Sequence, residues 1–170
     1  TTRADPSVPT RTTSSTSCGV CPPCVPGRPA LCAPGLAANT AATPLSGERR
    51  LCHPAQPVHH HLGVSGFAEW ATVSRRSLVR VDPTLPFAEA ALFGCAVITG
   101  VGAVVNTAAM PKHSSLAVIG LGGVGLAALL AGRMLDASPI VAIDLHEAKL
   151  AKARELGATE VEVVNDSELI

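Results

Sequence analysis

Cys18, Cys21, Cys24 and Cys32 fall close together in a C-x2-C-x2-C-x7-C pattern. Four thiolates at this spacing can surround one zinc ion tetrahedrally and leave no coordination position open. A closed shell of that kind holds structure together and does no chemistry on a substrate. The competing reading is a disulfide knot, because small secreted domains carry cysteines in even numbers. Disulfides within so short a loop close only small rings and gain little stability. Structural zinc is therefore the expectation. Cys52 has no partner at a recognisable spacing and reads as an incidental thiol.

A second signal begins at residue 116. Leu116-Ala-Val-Ile119 has the length and apolarity of a buried strand, and Gly120-Leu-Gly122-Gly123-Val124-Gly125 follows it directly. This G-x-G-x-x-G has the context the motif needs: a strand before it, a helix after it and an acid ending the next strand. Gly120 permits the tight turn, Gly122 lets a pyrophosphate approach the backbone, and Gly125 lets helix and strand pack closely. The helix amino end adds free N–H groups and a positive dipole for phosphates. Asp144 ends the second strand, placed to accept from the hydroxyls of an adenosine ribose. Leu145 follows it, with no arginine to receive a 2′-phosphate, so NAD is favoured over NADP. The competing reading is a glycine-rich turn in some other α/β protein.

The elements that must position these residues follow from pattern. Strand-like and helix-like segments alternate as 115–120, 123–135, 140–144, 146–156 and 160–164. That order predicts a parallel sheet with right-handed crossovers. Residues 94–109 are small, apolar and helical in character, and Pro86 opens a helix running to Leu92. Residues 18–62, rich in Pro, Gly and Cys, read as a loop lobe, with strands expected at 66–73 and 77–81. Thr1–Ser17 carries little that could bury a core face, so disorder is the expectation there.

Composition excludes several function classes. Lysine plus arginine equals aspartate plus glutamate at 13 each, so no net field draws the chain to nucleic acid or anionic membrane. Phe67, Trp70, Phe87 and Phe93 are the only aromatics, too few for base-stacking platforms. The apolar run from Leu116 to Gly132 is broken by glycines, and strand, turn and helix explain it better than a membrane span. A soluble, cytoplasmic protein is expected. His59-His60-His61 invites a metal reading, yet adjacent residues of an extended chain point to opposite sides and do not converge on one ion.

Taken together, the cysteine cluster, Gly94-Cys95-Ala96-Val97-Ile98-Thr99-Gly100, Gly120–Gly125 and Asp144 resemble the zinc-dependent alcohol dehydrogenases of the medium-chain dehydrogenase/reductase superfamily. Val58-His59-His60-His61-Leu62-Gly63 and Phe67-Ala68-Glu69-Trp70 resemble stretches of its long-lobed, class I and class III-like members. The likeness runs from about Cys18 to the carboxyl end.

That resemblance implies an α/β fold: part of a GroES-like catalytic domain with its zinc lobe over 18–98, then the first half of a Rossmann domain over 99–170, with about three parallel strands. It implies structural zinc on Cys18, Cys21, Cys24 and Cys32, and one catalytic-zinc ligand at Cys95. Read without the family, Cys95 is a small buried core residue. It also implies Thr99 and Val124 beside a nicotinamide, and Lys149 near the adenosine ribose. The implied cofactors are zinc and NAD, the substrate a small alcohol or aldehyde, and the complete enzyme a homo-oligomer.

Two expected parts are missing. Neither the upstream cysteine nor the Gly-His-Glu segment that completes the family's catalytic zinc site occurs here, and the sheet stops well short of its usual six strands. The expectation is therefore a partial chain, inactive by itself, with residues 1–17 foreign to the family. The rival readings are a non-catalytic dinucleotide-binding or sensor relative and a zinc-lobed interaction module. The latter would want a basic face near Cys18–Cys32, where only Arg28 occurs.

Overall fold

A computed structural model of the chain describes residues 10–12, 17–63, 65, 78–82 and 84–165. It divides into two compact units, Thr1–Gly94 and Cys95–Ile170. The sequence reading set that boundary between 98 and 99, four residues further on.

In the first unit a 3-10 turn (Pro29–Leu31) leads into α1 (Ala33–Thr40). Cys32 caps α1, its sulfur accepting from Gly35 N, and Pro34 sits in the first turn where no intrahelical N–H is lost. Beyond α1, two short antiparallel strands, β2 (Cys52–His53) and β3 (Gln56–Pro57), make a hairpin. Two further strands pair antiparallel, β1 (Thr10–Thr12) with β4 (Leu78–Arg80). This corrects the expectation of disorder throughout residues 1–17. Three residues with two β-branched threonines extend readily when another strand offers its ladder. The strand expected at 66–73, and the 67–70 resemblance with it, lie outside the described residues. Helix α2 (Phe87–Leu92) starts after Pro86, as its proline predicts.

The second unit is built on a parallel sheet in the order β5 (Leu116–Ile119), β6 (Ile140–Asp144), β7 (Glu160–Val163). In register, Leu116 faces Ile140 and Ile119 faces Ile143, while Val141 faces Glu160 and Asp144 faces Val163. Helices α4 (Gly123–Met134) and α5 (Glu147–Leu156) make the two crossovers. Each of these boundaries lies within one or two residues of the sequence expectation. The core between sheet and helices contains Val118, Leu121, Leu129, Ile140, Ala142, Leu150 and Ala153.

The chain is helical from Phe87 to Thr107, with wide π turns at Phe93–Val97 and Ala103–Thr107 on either side of α3 (Ile98–Gly102). By length and composition alone this stretch is apolar enough to cross a membrane. The core helix of a soluble protein meets the same test. Within the second unit α3 lies against α4 with almost no space between the backbones. A Cβ added at Gly100 would meet the Val124 carbonyl oxygen and come within 2.7 Å of the Ala127 Cβ.

Leu129 is fully buried between helix and sheet. Leu129→Ala should destabilise the second unit by about 2–5 kcal/mol, the range for truncating a buried leucine, as read from chemical denaturation followed by circular dichroism.

Candidate functional site

The glycine turn joins β5 to α4. Gly120 adopts φ +86°, a left-handed conformation that side-chain-bearing residues rarely take, and its N–H donates to Ile143 O at 2.8 Å. Gly122 is extended and stands at the amino cap of α4 with no side chain in front of the helix end. Gly123 and Gly125 form the first turn of that helix. A Cβ at Gly125 would collide with the Gly120 carbonyl oxygen and lie 3.0 Å from its carbon, so the third glycine is required by close packing. A cleft of about 630 Å³ opens beside the turn, lined by residues that include Gly120, Gly122, Val124, Gly100 and Val118.

Asp144 lies under this turn, and its side chain is only 5% exposed. One carboxylate oxygen accepts from Leu121 N at 2.7 Å and from Lys149 Nζ at 3.4 Å; the other accepts from His146 N at 3.0 Å. Burial acts to raise the Asp144 pKa. The Leu121 and His146 N–H groups and the Lys149 ammonium outweigh it and hold the group below its ordinary range. The sequence reading gave this carboxylate ribose hydroxyls as partners and missed the turn itself. Backbone N–H groups leave no residue-type signal.

Cys95 and Thr99 lie on the helical stretch ahead of β5. The Cys95 thiol is exposed, against the expectation of a buried core residue when read without the family, because its helix turns that face outward. Thr99 is also exposed, and its hydroxyl donates to Cys95 O at 2.7 Å. Ala96 packs against the turn, 3.3 Å from where a Gly123 Cβ would stand. Val124 is exposed. The sequence reading did not single out Gly100, whose missing side chain brings α3 onto α4.

In the first unit Cys18, Cys21, Cys24 and Cys32 bring their sulfurs within 4.8 Å of one another. Cys21 Sγ lies 3.4 Å from Cys24 Sγ and 3.8 Å from Cys32 Sγ. A tetrahedron with metal–sulfur bonds of about 2.3 Å has edges of about 3.8 Å, whereas a disulfide needs about 2.05 Å. All six cysteines are free. Backbone N–H groups of Cys18 and Gly35 point at the Cys32 sulfur and that of Cys21 at the Cys18 sulfur, at 3.2–3.3 Å. Such donors stabilise thiolates bound to a metal. The backbone N–H of Val20, followed by those neighbours, lowers Cys18 to about 6, whereas burial and the crowding sulfurs push Cys21 up to about 12. Four sulfurs this close resist losing all their protons until a cation joins them. The donor set fits zinc.

The histidines behave differently. His60 is buried, its Nε2 accepting from Arg50 N at 3.1 Å and its Nδ1 lying 3.4 Å from Ser65 Oγ. Both ring nitrogens are occupied by protein groups. His59 and His61 are not buried.

Comparison with known proteins agrees with this arrangement. No family model matches the chain. The chain is 38% identical over 143 residues to an S-(hydroxymethyl)glutathione dehydrogenase of Synechocystis sp., a match covering 84% of this chain and 39% of that protein. Among solved structures it is similar to an alcohol dehydrogenase zinc-binding domain protein from Burkholderia ambifaria, with a TM-score of 0.83, 33% identity, and coverage of 95% of this chain and 43% of that one. The benzyl alcohol dehydrogenase of Acinetobacter calcoaceticus superposes with a TM-score of 0.82 at 32% identity, covering 98% of this chain and 45% of that one.

The chain is similar to zinc-dependent alcohol dehydrogenases of the medium-chain dehydrogenase/reductase superfamily. It spans about two fifths of the length of these relatives. The matches extend over both the cysteine lobe and the parallel sheet, so the two signals of the sequence belong to one family fold.

The depressed Asp144 carboxyl carries a sign. A carboxylate with lowered folded-state pKa contributes stability above its ordinary titration range, and this is lost as pH falls through the folded value. The Asp144 contribution to melting temperature should therefore be fully present above about pH 5 and fall away below about pH 4, where carboxyls titrate. Asp144→Asn should flatten that acid limb, and superimposable pH profiles for the two proteins would contradict the assignment.

Proposed function

We propose that this chain carries the structural-zinc lobe and the dinucleotide turn of an NAD-linked, zinc-dependent alcohol dehydrogenase that interconverts a small alcohol with its aldehyde or ketone. The observation that carries the reading is the Asp144–Leu121 contact beneath the glycine turn. It brings the acid that ends β6 directly under the backbone groups that would meet a pyrophosphate.

In this reading Gly120, Gly122, Gly123, Val124 and Gly125 form the phosphate-facing surface, with Thr99 toward the nicotinamide. Asp144 and Lys149 flank the adenosine ribose. A 2′-phosphate would have to approach the buried Asp144 carboxylate, which favours NAD over NADP. Zinc joins Cys18, Cys21, Cys24 and Cys32 and holds the lobe closed. Among the described residues of the first unit only Cys32, Ala38 and Ala90 are buried apolar side chains, and a metal that gathers four ligands adds folding free energy beside them.

Cys95 is the proposed ligand to a second, catalytic zinc. Cys95 would help hold that ion, whose Lewis acidity would lower the pKa of an alcohol. Among the described residues Cys95 belongs to no group of three or more metal-ligating side chains. The further ligands, and with them hydride transfer, would have to come from outside the described residues. The chain by itself therefore reads as binding dinucleotide and one zinc without oxidising alcohol. A cytoplasmic setting, a homo-oligomeric complete enzyme, and no role for nucleic acid or membrane accompany this reading.

The test combines metal analysis with nucleotide titration of the purified chain. Expected are one zinc per chain, lost in Cys32→Ser, and NAD binding at least about tenfold tighter than NADP, a difference of about 1.4 kcal/mol. A zinc-free folded lobe would overturn the metal assignment, and tighter NADP than NAD binding would overturn the role of Asp144.

A further inference from the structure

We infer that Asp144 is a positioning residue for the glycine turn: it holds Leu121 N–H, and through it the phosphate-facing backbone, in binding shape before any nucleotide arrives. The inference deepens the dinucleotide reading of the same site, and the clamp itself is testable with no nucleotide present.

The geometry is one-sided in its demands. Leu121 is the middle residue of Gly120-Leu121-Gly122 and the one turn residue with a large side chain, which is 1% exposed in the core. Its side chain anchors the turn from below, while its N–H ends on Asp144 Oδ2 at 2.7 Å. The preceding N–H, of Gly120, ends on Ile143 O at 2.8 Å. Two consecutive N–H groups of the turn are thus tied to two consecutive residues at the end of β6. Both flanking glycines have wide backbone freedom, so the turn has little intrinsic reason to keep one shape. A buried carboxylate receiving a backbone N–H supplies it, since charge-assisted hydrogen bonds are about twice as strong as neutral ones.

Of roughly four acceptor positions on a carboxylate, three are filled by Leu121 N, His146 N and Lys149 Nζ. The carboxylate is therefore committed mainly to the protein, and only the Lys149 contact, long and partly exposed, is readily exchanged for a ribose hydroxyl.

Charge and clamping predict opposite signs for one probe. Inorganic pyrophosphate carries no ribose. If Asp144 acts only as a nearby negative charge and ribose acceptor, Asp144→Asn leaves pyrophosphate binding unchanged or tightens it. If Asp144 positions the turn, the variant, with one neutral oxygen in place of the two charged ones that serve Leu121 N and His146 N, weakens it by about tenfold, at a temperature where circular dichroism shows the variant folded.

The companion measurement is amide hydrogen exchange of the full chain without ligand. In the wild type the Leu121 amide should be protected to within about tenfold of the β6 ladder amides. Asp144→Asn should speed its exchange about tenfold or more, whereas Lys149→Met, which keeps the Leu121 bond, should change it less than about twofold. An unprotected Leu121 amide in the wild type overturns the clamp whether or not the variant folds. Tighter or equal pyrophosphate binding by Asp144→Asn overturns it too. A wild-type chain that binds no pyrophosphate or NAD removes the dinucleotide reading, and the exchange data then still decide the clamp.

Discussion

The carboxyl end of β6 holds the turn between β5 and α4, and the geometry of the second unit depends on that attachment. Ile143 O and the Asp144 carboxylate take the N–H groups of Gly120 and Leu121. This fixes where α4 begins and hence where its free N–H groups point. Gly125 must then lie against the Gly120 carbonyl, which admits no side chain. Gly100 in turn lets α3 pack on the first turns of α4. A sequence of small residues thus becomes a defined surface: the missing Cβ atoms of Gly125 and Gly100 each allow one close approach, and one buried acid secures the turn.

The first unit solves a different problem. Among its described residues few apolar side chains are buried, and polar anchors order them. Cys32 serves at once as the cap of α1 and as the acceptor for two backbone N–H groups. His60 ties Arg50 N to its ring and Ala42 O to its own N–H. The four sulfurs converge at separations that suit a tetrahedral ion better than a bond between any two of them. A lobe of this kind gains stability from the metal, because ligands scattered in the unfolded chain are gathered only on folding.

Much of this was legible in the residues alone. The strand–turn–helix alternation after residue 114 fixed the elements to within a residue or two, because hydrophobic period and glycine placement agree there. Cysteine spacing announced a cluster because thiolates at that separation have few other uses. What stayed hidden was carried by backbone groups and by exposure. Leu121 N and His146 N take the two oxygens of Asp144 without any residue type announcing it. Cys95 reads as a core residue by type, yet its helix face is exposed. Thr10–Thr12 pairs with Leu78–Arg80 although its neighbours have the composition of a disordered tail, since a strand edge recruits backbone and ignores side chains. The tight approach at Gly100 gave no signal because a glycine amid small apolar residues looks like any other.

The central claim is that the β5–α4 turn, secured from the end of β6, receives a dinucleotide. Backbone amide chemical shifts of the isotope-labelled chain during titration with NAD test it most directly. The account predicts that the largest shifts fall on Gly120 to Gly125 and around Asp144, with the cysteine lobe unmoved. Shifts concentrated elsewhere, or none at the turn at saturating NAD, would contradict it.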